Sequence, residues 1–249
     1  SDSEQSRDSA ESAQVPEEVE MTDGSLDELL TSGDRSLAIL FGSQSGNSEG
    51  LASKIAKQAK DYGLDGAVYD MDGFDFNSLS NMKRVLIICS TWGEGEMPDN
   101  AEELWQFANS DSASRLDGVH FSVCALGDLS YEFFCESGKD WDSRFEALGA
   151  TRMVERLDCD VDYDSPAAEW ALEVLPALSA VDSTGLFHED LVESIKQFAS
   201  GSSTGVAGDG GFAVPEISSE SIQAEISVFR YDPVASSSGN DVWLCALPA

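Results

Sequence analysis

Short apolar segments alternate with helical periodicity through the middle of this 249-residue chain. Segments that are almost continuously apolar are typical of strands buried on both faces of a parallel sheet. Between them, apolar residues recur at helical spacing, and crossover connections of this kind are right-handed. The pattern therefore predicts an α/β fold, a doubly wound five-stranded parallel sheet in the order 2-1-3-4-5 with helices on both faces. The predicted strands are residues 37–41, 67–69, 84–89, 119–126 and 151–157.

Composition divides the chain into three parts. Residues 1–35 contain 11 acidic and 2 basic residues and few apolar ones, so we expect an acidic, largely disordered leader. Residues 36–181 hold the predicted sheet. Residues 182–249 predict a helix in 188–198, then a flexible linker and a short strand-like tail. Because two strands alone are marginal in water, the tail either docks on the core or is the truncated start of a further domain.

The chain is strongly acidic, with 47 acidic and 14 basic residues and a net charge of −33 spread over all three parts. Such a surface disfavours nucleic acid and anionic membranes and favours basic partners. Adaptation of the whole surface to a salt-rich cytoplasm would give the same composition, and both interpretations stay open. The five cysteines form no CxxC pair, and neither a signal pattern nor a membrane-spanning apolar run is present. We expect a cytoplasmic protein.

A polar loop joins the first predicted strand to the first amphipathic helix. The apolar run stops at Gly42, and the helix begins near Glu49. A strand that passes through such a loop into a helix presents free backbone N–H groups at the positive end of the helix, where a phosphate binds well. The residues expected to wrap one phosphate are Ser43, Gln44, Ser45, Gly46, Asn47 and Ser48.

Two further loops carry an aromatic residue just after a predicted strand. Trp92 lies on the glycine-rich turn 90–96, Ser-Thr-Trp-Gly-Glu-Gly-Glu, and Tyr131 follows the fourth strand. Either residue alone could simply pack beneath its loop. The carboxyl ends of parallel strands share one edge of the sheet, however, so both aromatics should lie beside the phosphate loop. Together they predict a site for a flat ring on a phosphorylated chain.

The three loops, in this order and spacing, resemble the flavodoxin-like FMN domain of diflavin reductases. Within that group the chain is most similar to the FMN-binding part of the sulfite reductase flavoprotein subunit. The family pattern S-Q-T-G-N is matched by residues 43–47, with Ser45 in place of threonine, and S-T-x-G-E-G-E is matched by 90–96. Residues 126–135, followed by 137–142, nearly reproduce the third signature. The resemblance covers roughly residues 36–180 and implies FMN as the cofactor.

The resemblance also implies roles for individual residues. The first loop would hold the FMN phosphate, and Trp92 and Tyr131 would flank the isoalloxazine ring, although Trp92 stands where the family commonly has a smaller residue or a tyrosine. Asp158 and Asp160 would lie near the exposed edge of the ring. The ring and its ribityl chain would be lined by Ser90, Thr91, Gly93, Leu126, Gly127, Asp128, Leu129, Ser130, Tyr131, Glu132, Phe133, Phe134 and Cys135.

Full-length members of this family add an FAD- and NADPH-binding half, and no convincing motif for that half is found in this chain. We therefore expect an electron-transfer domain that passes single electrons from an FAD/NADPH reductase module, in cis or in trans, to a metalloprotein acceptor such as sulfite reductase. As this chain alone it should not oxidise NADPH, and no catalytic or metal-ligand spacing is found in it. The alternative is a flavodoxin-like interaction domain that no longer binds flavin.

Overall fold

The structure is a computed structural model, and it describes residues 23–202. Most of the predicted leader and the predicted linker and tail lie outside the described residues.

One parallel sheet forms the centre of the described part. Its strand order is β2-β1-β3-β4-β5, and β6 also pairs with β4 beyond the end of β5. All the pairings are parallel, as the apolar runs predict, and the predicted fold class is confirmed. The strands are β1 (Ser36–Gly42), β2 (Asp65–Asp70), β3 (Arg84–Ser90), β4 (His120–Leu126), β5 (Thr151–Arg152) and β6 (Leu157–Cys159).

Helices cover both faces of the sheet. On one face the apolar core includes residues of α1, α2, α5 and α6, and on the other it includes residues of α3 and α4. No helix within residues 23–202 is both long and apolar enough to cross a membrane. The helices are α1 (Asp23–Thr31), α2 (Asn47–Ala59), α3 (Asp99–Ala108), α4 (Glu136–Ala147), α5 (Asp164–Ser179) and α6 (Val192–Ser202).

The central strands are buried on both sides, which explains their continuous apolar sequences. In β1, Leu37 and Ile39 belong to the core under α2 and α5, whereas Ala38 and Leu40 belong to the core under α3 and α4. Successive side chains of a strand point to opposite faces, so a sheet covered on both faces favours apolar residues at most positions of its strands. The buried strands thereby fix the direction of the loops that leave their carboxyl ends.

The predicted fifth strand, 151–157, is not continuous. Phe121 pairs with Arg152 and Cys124 pairs with Leu157, so three residue steps on β4 face five on the outer segment. At the break, Ser122 Oγ accepts a hydrogen bond from the Val154 amide at 3.0 Å, and its one proton faces the carbonyls of Phe121, at 2.8 Å, and Val154, at 3.1 Å. A serine hydroxyl thus replaces the backbone ladder, and the two extra residues divide the segment into β5 and β6.

Two buried arginines hold the amino-terminal edge of the sheet to the end of α5. Arg84 is fully buried and donates to the carbonyls of Leu178 and Val181, while Arg35 donates to Ser179 O and Oγ. The carbonyls of Leu178 and Ser179 lie in the last turn of α5, where they carry the negative end of the helix dipole, and Val181 O follows directly after the helix. Burial lowers the pKa of both guanidinium groups, that of Arg35 to about 10, so Arg35 remains charged at neutral pH. These arginine contacts lie at the amino-terminal edge of the sheet, and the three polar loops lie at the opposite edge.

Candidate functional site

The three predicted loops meet at the carboxyl edge of the sheet around one cavity of about 470 Å³. Parallel strands end at the same edge, so the loops after β1, β3 and β4 come together although they are far apart in sequence. The cavity is lined by Gln44, Ser45, Asn47, Ser90, Thr91, Trp92, Gly93, Leu126, Gly127, Asp128, Tyr131, Phe133, Val161 and Tyr163.

The first loop is organised from within by a serine hydroxyl. Ser43 Oγ accepts hydrogen bonds from the amides of Gly46, at 2.9 Å, and Ser48, at 3.3 Å. Gly46 precedes α2 with a φ of 85°, in the left-handed region that glycine occupies without strain. The side chain of Gln44 is held against the start of α3, since its Nε2 donates to Asp99 Oδ2 and its Oε1 accepts from the Asp99 amide.

Several polar groups of this loop have no partner in the described part of the chain. The backbone amides of Gln44, Ser45 and Asn47 make no hydrogen bond to any described residue. The buried hydroxyl of Ser48 is unpaired there as well. An anion binds well beside the first turn of a helix. Unpaired donors there can hydrogen-bond to it, and the positive end of the helix dipole attracts its charge. The donors present therefore fit a phosphate group.

The second loop is a tight turn that exposes the side chain of Trp92 to solvent. The Trp92 amide donates to Glu96 O at 2.9 Å, and the Glu96 amide donates to Trp92 O at 2.8 Å. Gly93 and Gly95 have φ of 53° and 101°, respectively, in the left-handed region that non-glycine residues seldom adopt. Thr91 Oγ1 accepts from the Ser137 amide at 3.1 Å, which fixes the turn to the first residues of α4.

The third loop is held against the end of β6. The Gly127 amide donates to Cys159 O at 2.9 Å, and the Leu129 amide donates to Asp160 Oδ1 at 3.0 Å. Cys135 closes the loop with a φ of 57°, the one non-glycine residue with positive φ among residues 23–202. Its buried Sγ lies 3.5 Å from the carbonyls of both Ala125 and Cys159, and burial raises its pKa to about 12, so it stays a neutral thiol.

A fourth loop, between β6 and α5, adds two cavity residues that the sequence interpretation missed, Val161 and Tyr163. The two aspartates predicted near this end of the sheet, Asp158 in β6 and Asp160 in this loop, are engaged elsewhere. Asp158 forms an ion pair with Arg156 at 2.7 Å, and Asp160 accepts from the Leu129 amide. Neither aspartate lines the cavity. An aromatic residue soon after the last strand could have indicated Tyr163, by the same reasoning that found Trp92 and Tyr131.

Twelve of the twenty predicted residues line the cavity, and the remaining eight support it or lie outside it. Ser43, Gly46 and Ser48 shape the first loop through the contacts described above. Leu129, Ser130 and Glu132 are exposed and do not reach the cavity wall. Phe134 contributes its carbonyl to Lys139 Nζ, at 2.6 Å, and Cys135 packs behind Gly127.

The wall of the cavity combines exposed aromatic faces with an absence of basic side chains. Trp92 is 53% exposed and Tyr131 is 64% exposed, although both carry large apolar rings. Clustered exposed rings at a cavity mouth indicate a ligand that stacks on them. No lysine or arginine lines this cavity, and Asp128 does, its pKa lowered by hydrogen bonds from the amide and side chain of Ser130. The site thus fits a flat ring with a phosphate held by neutral donors.

Comparison with known proteins identifies the class. The flavodoxin family model matches residues 39–173, which is more than half of the chain. The chain therefore belongs to the flavodoxin family, and this membership confirms the predicted cofactor, FMN.

Among individual relatives, the chain is similar to sulfite reductase (NADPH) flavoprotein alpha-components. It is 42% identical to that of Vibrio vulnificus over 165 residues, covering 66% of this chain and 27% of the relative. It is 47% identical to that of Bacillus subtilis over 145 residues (58% and 24%), and 44% identical to that of Vibrio parahaemolyticus over 149 residues (60% and 24%). The predicted resemblance is confirmed, and the chain spans about a quarter of the length of these relatives.

Proposed function

We propose that this chain is an FMN-dependent electron-transfer domain of a sulfite reductase-type flavoprotein. It would receive electrons from an FAD/NADPH reductase module, in cis or in trans, and pass them singly to a metalloprotein acceptor such as sulfite reductase. The observation that carries the proposal is the cavity, where two exposed aromatic residues stand beside a loop with unpaired amide donors. The relatives are flavoprotein components of sulfite reductase, which supports this acceptor. This function is consistent with a cytoplasmic protein.

The proposal also assigns the parts of the chain. Residues 36–181 form the FMN-binding domain, whereas most of the leader predicted for residues 1–35 and the linker and tail predicted within residues 182–249 lie outside the described residues. Bound FMN supplies reversible one-electron chemistry. Trp92 and Tyr131 orient its ring, and the loop of residues 43–48 fixes its phosphate.

The protein would tune the cofactor mainly by charge. Glu94 and Glu96 belong to the turn that carries Trp92, and Asp128 lines the cavity, whereas no basic side chain does. Negative charges near the ring disfavour additional negative charge on it. The surroundings would therefore lower the reduction potential, which suits a domain that donates electrons.

Titration with FMN tests the binding site directly. In the full chain, Trp92→Ala and Tyr131→Ala should each weaken FMN binding about ten-fold, because each removes a stacking contact of roughly 1 kcal/mol together with buried area. Quenching of FMN fluorescence on binding measures the affinity. Leu172→Ala is the matched control, since Leu172 is equally exposed, at 53%, on α5 and does not line the cavity. Unchanged affinity in both aromatic variants would contradict the proposed ring site.

The alternative function, an interaction domain without flavin, makes the opposite prediction for the wild-type protein. Such a protein would be colourless after purification and would take up no added FMN. For the electron-transfer proposal, chemically reduced protein should reduce the haem-containing subunit of a sulfite reductase. A rate that falls steeply with salt would indicate docking through the acidic surface, and a rate unaffected by salt would indicate that the acidity serves another purpose.

A further inference from the structure

The side chain of Asn100, in the first turn of α3, joins three separate segments at the edge of the cavity. Its Oδ1 accepts a hydrogen bond from the Ser43 amide at 2.8 Å. Its Nδ2 donates to Asp70 Oδ1, at 2.8 Å, and to Phe41 O, at 3.4 Å. One amide therefore ties the end of β1, the end of β2 and the first residue of the phosphate loop to the start of α3.

These partners fix the orientation of the amide. Ser43 offers a donor, so it requires the oxygen of Asn100, while Asp70 and Phe41 offer acceptors and require the nitrogen. Asparagine can meet both demands at this position, whereas aspartate has no donor for the two acceptors and alanine has neither group. The contact with Ser43 crosses 57 residues of sequence, so no local pattern predicts it.

The position of Ser43 controls the rest of the loop. Asn100 holds its amide, and the hydroxyl of the same residue accepts from the amides of Gly46 and Ser48. The free amides of Gln44, Ser45 and Asn47 belong to the segment between these anchors. A donor set that is aligned before the ligand arrives binds more tightly, because ordering costs nothing further at the moment of binding.

We propose that Asn100 is a positioning residue that aligns the phosphate loop, and that it thereby sets the preference of this site for FMN over riboflavin. The inference rests on the proposed function, since it concerns the phosphate half of the same cavity. Asn100 does not line the cavity, so it acts through Ser43 and not by contact with the ligand. Its loss should weaken the binding of the phosphate and leave the ring contacts of Trp92 and Tyr131 intact.

The test compares FMN with riboflavin, which carries the same ring and ribityl chain without the phosphate. In the full-length chain, Asn100→Ala should weaken FMN binding about ten-fold, the effect of one lost hydrogen bond that orders a loop, and should leave riboflavin binding unchanged. Asn109→Ala is the matched control, because Asn109 caps the other end of the same helix and, among the described residues, its side chain donates only to Trp105 O. It should alter neither affinity.

A second variant tests the donor of Asn100 separately from its size. Asn100→Asp keeps the acceptor for Ser43 but places a carboxylate 2.8 Å from Asp70 Oδ1, where two negative charges repel. We expect it to lose FMN affinity as the alanine variant does, again without loss of riboflavin affinity. Adding Asp70→Asn removes the repulsion and supplies a donor, so the double variant should recover part of the lost FMN affinity.

Amide hydrogen exchange gives a readout that does not depend on ligand. The Ser43 amide should be protected in the wild-type protein and should exchange faster in both Asn100 variants, while amides in the middle of β1 stay protected. Equal loss of FMN and riboflavin affinity, or no loss of either, would overturn the role of Asn100 alone. A wild-type protein that binds FMN no more tightly than riboflavin would overturn the proposed phosphate site itself.

Discussion

At the scale of single residues, the turn that carries Trp92 depends on glycine at two positions. Gly95 has a φ of 101°, and a Cβ added there would lie 3.0 Å from the Cβ of Phe133 in the third loop. Reciprocal backbone hydrogen bonds between Trp92 and Glu96 close the turn. A change in the backbone of the turn would therefore also move the Trp92 side chain. Gly95 therefore links the backbone of the second loop both to the third loop and to the position of the Trp92 ring.

Gly95→Ala should lower both stability and FMN affinity. A non-glycine residue in this region of φ costs about 1–3 kcal/mol, and the contact with Phe133 adds to that strain. We expect a free energy of unfolding reduced by about 1–2 kcal/mol and FMN affinity reduced several-fold, measured by urea denaturation and by FMN titration.

Gly50→Ala provides the control for this glycine substitution. Gly50 lies in α2, and a Cβ added there meets nothing within 4 Å. The helical position should gain up to about 1 kcal/mol from alanine. If the two variants had the same stability, the strain assigned to the turn would be wrong.

At the scale of elements, the outermost part of the sheet depends on one carboxylate of α4. Asp142 is buried, its Oδ1 accepts from Arg152 Nε at 2.8 Å, and its Oδ2 accepts from Arg156 Nη1 at 2.9 Å. These arginines flank the stretch in which Ser122 interrupts the strand. With so few ladder bonds, β5 and β6 need this side-chain attachment, and β6 in turn holds the third loop of the site through Cys159 O.

Asp142→Ala should therefore destabilise the protein by about 2–4 kcal/mol, because it leaves two partly buried guanidinium groups without their shared partner. Glu146→Ala is the matched control on the same helix, since Glu146 also pairs with Arg152 but is 64% exposed. An exposed pair contributes about 1 kcal/mol or less. Thermal or urea unfolding measures both variants, and equal losses would contradict the special role of Asp142.

The elements also show which features the amino-acid sequence can reveal. Nearly continuous apolar runs predict β1, β3 and β4, because a strand covered on both faces has few polar positions. Loops at strand ends predict the cavity, because parallel strands share an edge. The break at Ser122 and the link from Asn100 to Ser43 are contacts between side chains distant in sequence, which leave no periodic signal. Tyr163 follows the last strand as Tyr131 follows β4, so the same reasoning from strand ends would have indicated it.

At the scale of the whole molecule, the two edges of the sheet have different tasks. Buried arginines bind the end of α5 to the amino-terminal edge, so that edge is closed by polar contacts within the chain. Among residues 23–202, the carboxyl edge has amides without a hydrogen-bond partner and exposed aromatic rings. A sheet fixed at one edge can hold the loops of the other edge in place before a ligand binds, which is the condition for tight and specific binding.

The charge of the whole molecule opposes its folding. A net charge of −33, with 47 acidic and 14 basic residues, produces repulsion that a compact state concentrates. Added salt shortens the screening length from roughly 30 Å at 0.01 M to roughly 3 Å at 1 M. We expect the Tm of the full chain to rise by about 5 °C or more over this range, which corresponds to roughly 2 kcal/mol for a chain of this size. Differential scanning calorimetry in sodium chloride measures the rise.

The shape of the salt dependence identifies its cause. Screening changes fastest at low salt, so most of the rise should occur below about 0.2 M and should be the same in sodium and choline chloride. If salt acted instead through its exclusion from the protein surface, which strengthens the burial of apolar groups, the Tm would continue to rise at high salt concentration. The rise would then be larger in sulfate. If the Tm stayed constant or fell as salt was raised to about 0.2 M, repulsion between surface charges would not be what lowers the stability of this protein.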